Sequence, residues 1–308
     1  ISQSGIDDLT AAGFEVLTTT VAQEQLENFI NTENIVALLV RSATTVRQDL
    51  IDACPNLKII GRGGVGMDNI DVEYARKKGL SVINTPAASS ESVAELVFAH
   101  LFSGVRFLYD SNRAMPLDGD SKFKALKKAY AKGTELRGKT LGVIGFGRIG
   151  QATAKMALGL GMKVIAFDPF LEKTTLSLSF YDGQTIDFEI STVSKETVLK
   201  ESDFISLHVP AQKEFVIGKA ELELMKNGAG LINAARGGVV DEVALVSALN
   251  SNKLAFAGLD TFENEPTPSV QLLMNPKISL TPHIGAATNQ AQDRIGSELA
   301  SQIISILK

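Results

Sequence analysis

The segment GFGRIG, Gly145–Gly150, follows the apolar run LGVI at once and leads straight into a helical pattern. A chain carrying this arrangement is held to a strand, a tight turn and a helix, in that order. The first glycine permits the turn, the second lets backbone approach a pyrophosphate, and the third lets helix pack closely on strand. Unpaired N–H groups at the helix start then face the phosphates. Gly145, Gly147, Arg148, Ile149 and Gly150 are therefore expected beside a dinucleotide. The next apolar run, MKVIAF, ends in Asp168, a carboxylate placed to accept hydrogen bonds from the adenosine ribose hydroxyls and to repel a 2′-phosphate. The expected cofactor is NAD rather than NADP.

Apolar runs alternate with helical patterns from the start of the chain: FEVLTT, VAQEQLENFI, IVALLV, LIDAC, LKIIG, DVEYARKKG and LSVIN. This alternation predicts a parallel sheet with covering helices. After Pro86 one long helical pattern opens at Ser89 and Ser90 and runs through to Met115, as a link between two domains. A second series begins at Thr140 and continues through FISLHV, GAGLINAA, LAFAGLD and ISLTP, each run suited to a strand covered on both faces. Between Leu171 and Lys200 alternating residues flank an Asp182-Gly183 turn signal, which predicts a β-hairpin insertion over 171–200. A terminal helix is expected from about Ala287 to Leu307.

The chain has 308 residues, 44% of them hydrophobic, enough for two cores. Its net charge of −5 argues against a broad nucleic-acid footprint. No run has the length of a membrane span. A single cysteine, Cys54, permits no internal disulfide and fits a reducing compartment, so a cytoplasmic enzyme is expected. No metal site is expected. The chain opens at Ile1 without methionine, and residues before it are expected to be missing.

Only three histidines, at 100, 208 and 283, are available to titrate near neutrality. His283 follows Pro282 at the end of the run ISLT, at the strand edge where open α/β sheets bind ligands. His100 sits among Leu96, Val97, Phe98 and Leu101 and reads as a packed or interface histidine. His208 ends FISLHVP and is expected to offer backbone to the nicotinamide ribose. A proton-exchanging histidine gains from a carboxylate partner, and Glu263 and Glu265 in TFENEP are equally placed for it. Asp260, closing the run before them, is expected on the nicotinamide side. Arg236 ends GLINAA ahead of Gly237 and Gly238, where a guanidinium fork suits the carboxylate and carbonyl of a 2-keto acid.

With these residues in view, the chain resembles the D-2-hydroxyacid dehydrogenases, and within them the phosphoglycerate branch. The resemblance covers nearly the whole chain. It is carried by VRSATTV at Val40, GRGGVGMDNID at Gly61, NTP at Asn84, SVAEL at Ser92, KGTELRGKTLGVIGFGRIG, NAARGGVVDE at Asn233, LDTFENEP at Leu259 and TPHIGA at Thr281. It selects Glu265 over Glu263 as the partner of His283. It implies an NAD site extending to His208, Val209, Pro210, Ala234, Asp260, Gly285 and Ala286. It also implies that Gly63, Gly64 and Val65 offer backbone groups to a substrate carboxylate, with Arg41 and Arg62 at the phosphate end and Lys128 as a third cation. Two guanidinium groups match the charge of a phosphate ester. Ser89, where many relatives carry asparagine, and the hairpin near Gly183 depart from the family pattern, as does the absence of a strand ahead of ISQSGIDDL.

The expected architecture is α/β, with two doubly wound parallel-sheet domains. A Rossmann NAD domain, residues 86–286 including the linking helix, is inserted into a smaller flavodoxin-like substrate domain of residues 1–85 plus 287–308. The implied activity is NAD-dependent oxidation of 3-phosphoglycerate to 3-phosphohydroxypyruvate, the entry to serine synthesis. The chain ends soon after the terminal helix, so control by serine through a further C-terminal domain is not expected. The alternatives are a dehydrogenase for another acid such as glyoxylate, hydroxypyruvate or lactate, and, more remotely, an NAD-sensing binding protein. A homodimer is implied, with the long helix and residues 115–132 contributing, and no nucleic-acid or membrane partner.

Overall fold

The computed structural model describes all 308 residues. It divides into two compact units, Ile1–Ser92 with Ala286–Lys308, and Val93–Gly285. The seams fall at 92/93 and 285/286 rather than at the expected 85/86 and 286/287. Residues 86–92 and Ala286 thus belong to the outer unit.

The outer unit begins with α1 (Gln3–Ala11), α2 (Leu26–Thr32), β1 (Ala37–Val40), α3 (Gln48–Ala53), β2 (Ile59–Arg62), α4 (Val72–Lys77) and β3 (Ser81–Asn84). Its sheet is parallel, in the sequential order β1-β2-β3. Because strand side chains alternate between faces, Leu38, Ile60 and Val82 pack against α2, α3 and α4, with Cys54 buried among them. Leu39, Ile59 and Ile83 face the other way, onto Leu9 of α1 and Ala300 and Ile303 near the end of the chain. The FEVLTT segment differs from expectation. It joins no ladder, and Phe14 and Val16 instead lie against that second core.

The inner unit takes over at Val93 within α5 (Ser90–Val105) and continues with α6 (Leu108–Asp118), α7 (Phe123–Ala129), β4 (Thr140–Ile144), α8 (Arg148–Gly159), β5 (Lys163–Phe167), β6 (Lys173–Ser179), β7 (Thr185–Ser191), α9 (Lys195–Glu201), β8 (Phe204–Leu207), α10 (Lys219–Leu224), β9 (Ala229–Asn233), α11 (Glu242–Asn250), β10 (Leu254–Leu259), α12 (Val270–Leu273) and β11 (Ile278–Leu280). The chain then returns to the outer unit as α13 (Asn289–Leu307), capped by the Thr288 hydroxyl on Ala291 N–H. The pattern expected as one helix from Ser89 to Met115 is broken at Phe107, which adopts the left-handed φ of 55°. The hairpin is β6 and β7 alone, antiparallel from Lys173↔Ser191 to Ser179↔Thr185. The rest of the expected insertion is occupied by α9, whose Ser194 hydroxyl caps Thr197 N–H.

Six parallel strands form the inner sheet in the order β11-β10-β9-β8-β4-β5. The chain winds outward from β4 to β5, then crosses back to β8 on the other side of β4. That reversal opens a crevice beyond the carboxyl ends of β4 and β8, the place where such sheets bind ligands. No helix of the chain is long and apolar enough to cross a membrane.

In the outer unit α1 and α13 cross at two glycines. A Cβ on Gly5 would collide with the backbone of Gly296. Gly5→Val should therefore force the helices apart and lower the urea-unfolding free energy by about 1–3 kcal/mol, the usual cost of overpacking; an unchanged midpoint would contradict this contact.

Candidate active site

The predicted residues of the inner unit gather at one sheet edge because each ends a parallel strand. Gly145 follows β4 with φ +90°, and a Cβ there would strike the His208 carbonyl after β8, so only glycine fits between the two strand ends. Gly150 lies against the Gly145 carbonyl, so its missing Cβ sets the approach of α8 to the turn. Gly147 is the N-cap of α8, makes no side-chain capping bond and has open space where a Cβ would stand. The Asp168 carboxylate closes this turn from β5: Oδ2 accepts from Phe146 N–H at 2.7 Å and Oδ1 from Phe170 N–H at 2.9 Å. Open amides, a glycine-lined turn and a carboxylate beside it fit the diphosphate and adenosine ribose of NAD.

His208 donates its own N–H to Ile144 O at 2.8 Å, while its Nε2 pairs with the buried Ser206 hydroxyl at 2.9 Å. Burial pushes its imidazole down to about 3, so the ring is neutral and unsuited to proton exchange at physiological pH. Val209 and Pro210 follow it toward the surface, and Ala234 lies buried at the end of β9.

After β9, Asn233 staples the next turn, accepting from Ala235 N–H at 3.1 Å and donating to Arg236 O at 2.9 Å. The Arg236 guanidinium donates to Ala235 O at 2.7 Å. Gly237 then passes so close to the Phe262 carbonyl that a Cβ has no room. This contact ties the arginine turn to the segment after β10.

That segment carries Glu265 and ends the ambiguity between the two glutamates. Glu265 Oε1 accepts from Phe262 N–H at 3.0 Å, and its Oε2 meets His283 Nδ1 at 2.9 Å. Because a carboxylate only accepts, Nδ1 carries the proton and Nε2 is left for exchange. Glu263 turns away to a structural pairing, in which its Oε1 takes Glu242 N–H at 3.0 Å and its own N–H goes to Glu242 Oε1 at 2.7 Å. Burial, reinforced by the charges of Glu263 and Glu265, raises the Glu242 carboxyl above its ordinary range. His283 itself is held at φ +55°, a left-handed conformation that costs a non-glycine residue on the order of 1 kcal/mol or more.

Asp260 directly follows β10 at the sheet edge. It is 1% exposed, and both carboxylate oxygens are filled from within: Oδ1 by the Thr281 hydroxyl at 2.6 Å and Ile284 N–H at 2.8 Å, Oδ2 by Gly285 N–H at 2.8 Å. What it does is clamp the loop carrying His283. Gly285 N–H is consumed in the same clamp. Ala286, also expected beside the cofactor, is the first returning residue of the outer unit, and its carbonyl accepts from Gln292 at 2.8 Å.

In the outer unit Arg41 and Arg62 stand at neighbouring strand ends, since Val40 pairs with Arg62. Arg62 donates to Ser42 Oγ at 3.0 Å and to the Gly63 carbonyl, whereas Arg41 is exposed. Asn69 anchors their loop through Arg41 O at 2.9 Å and Thr44 O at 2.6 Å. The expected Gly63–Val65 cradle is corrected in part. Gly63 N–H goes to Val40 O at 3.0 Å and Gly64 N–H to Arg62 O at 2.9 Å, leaving Val65 as the one of the three whose N–H no backbone carbonyl takes. Lys128 is an exposed residue in the last turn of α7, which packs on α6.

Residues 98–285 match the family model described as the D-isomer specific 2-hydroxyacid dehydrogenase NAD binding domain. The chain belongs to the D-isomer specific 2-hydroxyacid dehydrogenases. Hydroxypyruvate reductase of Thermotoga maritima is 43% identical over 95% of this chain and 91% of its own length. D-3-phosphoglycerate dehydrogenase of Archaeoglobus fulgidus is 39% identical over 100% of this chain, which spans only 56% of that protein. The crystal structure of D-lactate dehydrogenase from Aquifex aeolicus with NAD and lactic acid superposes with a TM-score of 0.75 and 30% identity, over 100% of this chain and 93% of the other. As a member of this dehydrogenase family the protein uses NAD.

The Gly237 contact gives a direct test of how the site is assembled. Gly237→Ala should lower kcat/KM by about tenfold or more through displacement of Arg236, and stability by about 1–3 kcal/mol. Steady-state kinetics beside a thermal melt would measure both.

Proposed function

We propose that the protein oxidises 3-phosphoglycerate to 3-phosphohydroxypyruvate with NAD. The observation that carries this reading is the placing of Arg41 and Arg62 at adjacent strand ends, with Arg62 donating to Ser42 next to Arg41, which gathers two guanidinium charges at one edge of the outer sheet, the sign and number that suit a dianionic phosphate. Arg236, in the inner unit, grips the carboxylate and the C2 oxygen, and the outer unit keeps the Val65 N–H as a donor no backbone carbonyl takes. His283 Nε2 takes the hydroxyl proton while Glu265 holds Nδ1 and balances the imidazolium that forms. Bound NAD supplies the hydride acceptor at C2. Asp168 selects NAD by crowding a 2′-phosphate with negative charge.

A second reading has its own support. The hydroxypyruvate reductase is matched over nearly its whole length, whereas the phosphoglycerate dehydrogenases are matched over about half of theirs. A reductase for an unphosphorylated 2-keto acid uses the same Arg236, Glu265 and His283 and has no need of Arg41.

We also infer a homodimer, in a cytoplasmic setting that suits a single buried free thiol. Leu108, Met115, Leu117 and Phe123 on α6 and α7 are exposed apolar residues of the kind a second copy would cover. Leu117→Lys with Phe123→Glu should halve the mass seen by sedimentation; an unchanged mass would remove these helices from the interface.

His283→Ala should reduce kcat by about 10²–10⁴-fold with NADH affinity, read by fluorescence, left near wild type; equal loss of both would sink its assigned role. NAD reduction should be compared with 3-phosphoglycerate, glycerate and D-lactate. On the phosphoglycerate reading only the first is a good substrate, and Arg41→Ala raises its KM by about 10–100-fold, the loss of one charged hydrogen-bonding group. Comparable rates on glycerate, indifferent to Arg41, would give the protein to the second reading.

A further inference from the structure

The loop that carries His283 is held from behind by a side chain that hydride-transfer chemistry does not touch. His100 lies in mid-α5, 2% exposed. Its ring makes two hydrogen bonds, Nδ1 with Ser279 Oγ at 2.9 Å and Nε2 with Thr281 Oγ1 at 3.0 Å. The proton positions follow by counting donors. The Thr281 hydroxyl has one hydrogen and gives it to Asp260 Oδ1, because an ionised carboxylate only accepts. Thr281 Oγ1 must then accept from His100, so Nε2 bears the proton and Nδ1 takes the hydrogen of Ser279. Burial favours this neutral ring, pushing His100 below the ordinary histidine range against the opposing pull of the Asp260 charge.

The line of bonds continues past Asp260. Its carboxylate accepts from Ile284 and Gly285 N–H, the two peptide groups directly after His283. These bonds hold the turn in which His283 adopts its left-handed φ. The upstream end is equally fixed, since a Cβ on Gly258 would collide with Cβ and Cγ of His100, which seats the imidazole against the backbone of β10. A packed histidine needs only satisfied nitrogens. Here one nitrogen is spent on a residue two positions from the proton-exchanging histidine, at the head of a chain that ends on the Ile284 and Gly285 N–H groups just after that histidine.

We infer that His100 is a positioning residue for the acid–base step: through Thr281 and Asp260 its Nε2–H fixes the backbone that aims His283 at Glu265 and at the substrate. The inference rests on the reading of His283 as the proton-exchanging group. It does not depend on which 2-hydroxy acid is used.

The test compares His100→Leu, which keeps the bulk and loses both bonds, with His100→Gln, whose amide nitrogen can still donate to Thr281. 3-Phosphohydroxypyruvate and hydroxypyruvate are each tried with NADH, and the keto acid that wild type turns over faster is the substrate for every variant. His100→Leu should lower kcat by about tenfold or more, with KM and the NADH dissociation constant within about twofold of wild type, because the loss is one of alignment. His100→Gln should recover most of that kcat. Added to Thr281→Val, His100→Leu should cost little more, since both break one chain. A His100→Leu kcat within about twofold of wild type, a Gln variant as impaired as Leu, or full additivity with Thr281→Val would each overturn the proposal. Should leucine not be tolerated, Thr281→Val probes the same link from its other end: a tenfold kcat loss at unchanged NADH affinity supports it, and a kcat within about twofold overturns it. His283→Ala run alongside separates the failures. An active His283→Ala removes the acid–base reading and this inference with it; an inactive one beside a fully active His100→Leu removes the role of His100 alone.

Discussion

Asp260 carries a negative charge into the interior, where an ionised carboxylate is tolerated only if its lone pairs are filled. Three donors fill them, and all three come from one short stretch, Thr281 to Gly285. The electrostatic demand of one buried group is thereby converted into the shape of a loop. Since β10 ends at Leu259 and β11 at Leu280, the two strand ends beside each other in the sheet are locked to one another at their carboxyl edge. His283 inherits its orientation from this lock, and Glu265, on the same side of β10, meets it at hydrogen-bonding distance.

Close backbone approaches do for the other turns what the carboxylate does for this one. Gly145 admits the His208 carbonyl and Gly237 admits the Phe262 carbonyl. Each removes a side chain where two elements must nearly touch, so successive strand ends are fixed relative to one another by excluded volume rather than by attraction. Parallel strands point their carboxyl ends the same way, so these contacts accumulate along one edge. Residues far apart in the sequence arrive there without any long loop.

What could be read from the sequence was what local rules govern. GFGRIG between a strand and a helix specifies its own turn, and Asp168 at the next strand end comes within reach of that turn for the same reason. The alternating run around Asp182-Gly183 forms its hairpin between near neighbours. Residues whose role is decided by a distant partner were not legible. Glu263 and Glu265 have the same spacing claim on His283, and Glu242, brought up by α11, is what takes Glu263 away. The Gly63 amide looked available in GRGGVG, yet the Val40 carbonyl claims it once β1 and β2 pair. The break at Phe107 follows Gly104 in the last turn of α5, and the apolar period that continues on both sides of SGVRF masked this single glycine. His100 read as a packed residue and is packed. Its second engagement depended on Ser279 and Thr281 arriving from the far end of the sheet.

The crossing of α1 and α13 at Gly5 and Gly296 bears on how the chain is made. A ribosome releases residues 1–92 long before α13 exists, so the face of the outer sheet bearing Leu39, Ile59 and Ile83 lacks its final cover for most of synthesis. The inner unit, by contrast, is continuous from Val93 to Gly285 and can condense as soon as β11 emerges. The cover of this outer sheet is thus completed only after the whole inner unit has been translated, and until α13 emerges the amino-terminal strands stay apolar on one side.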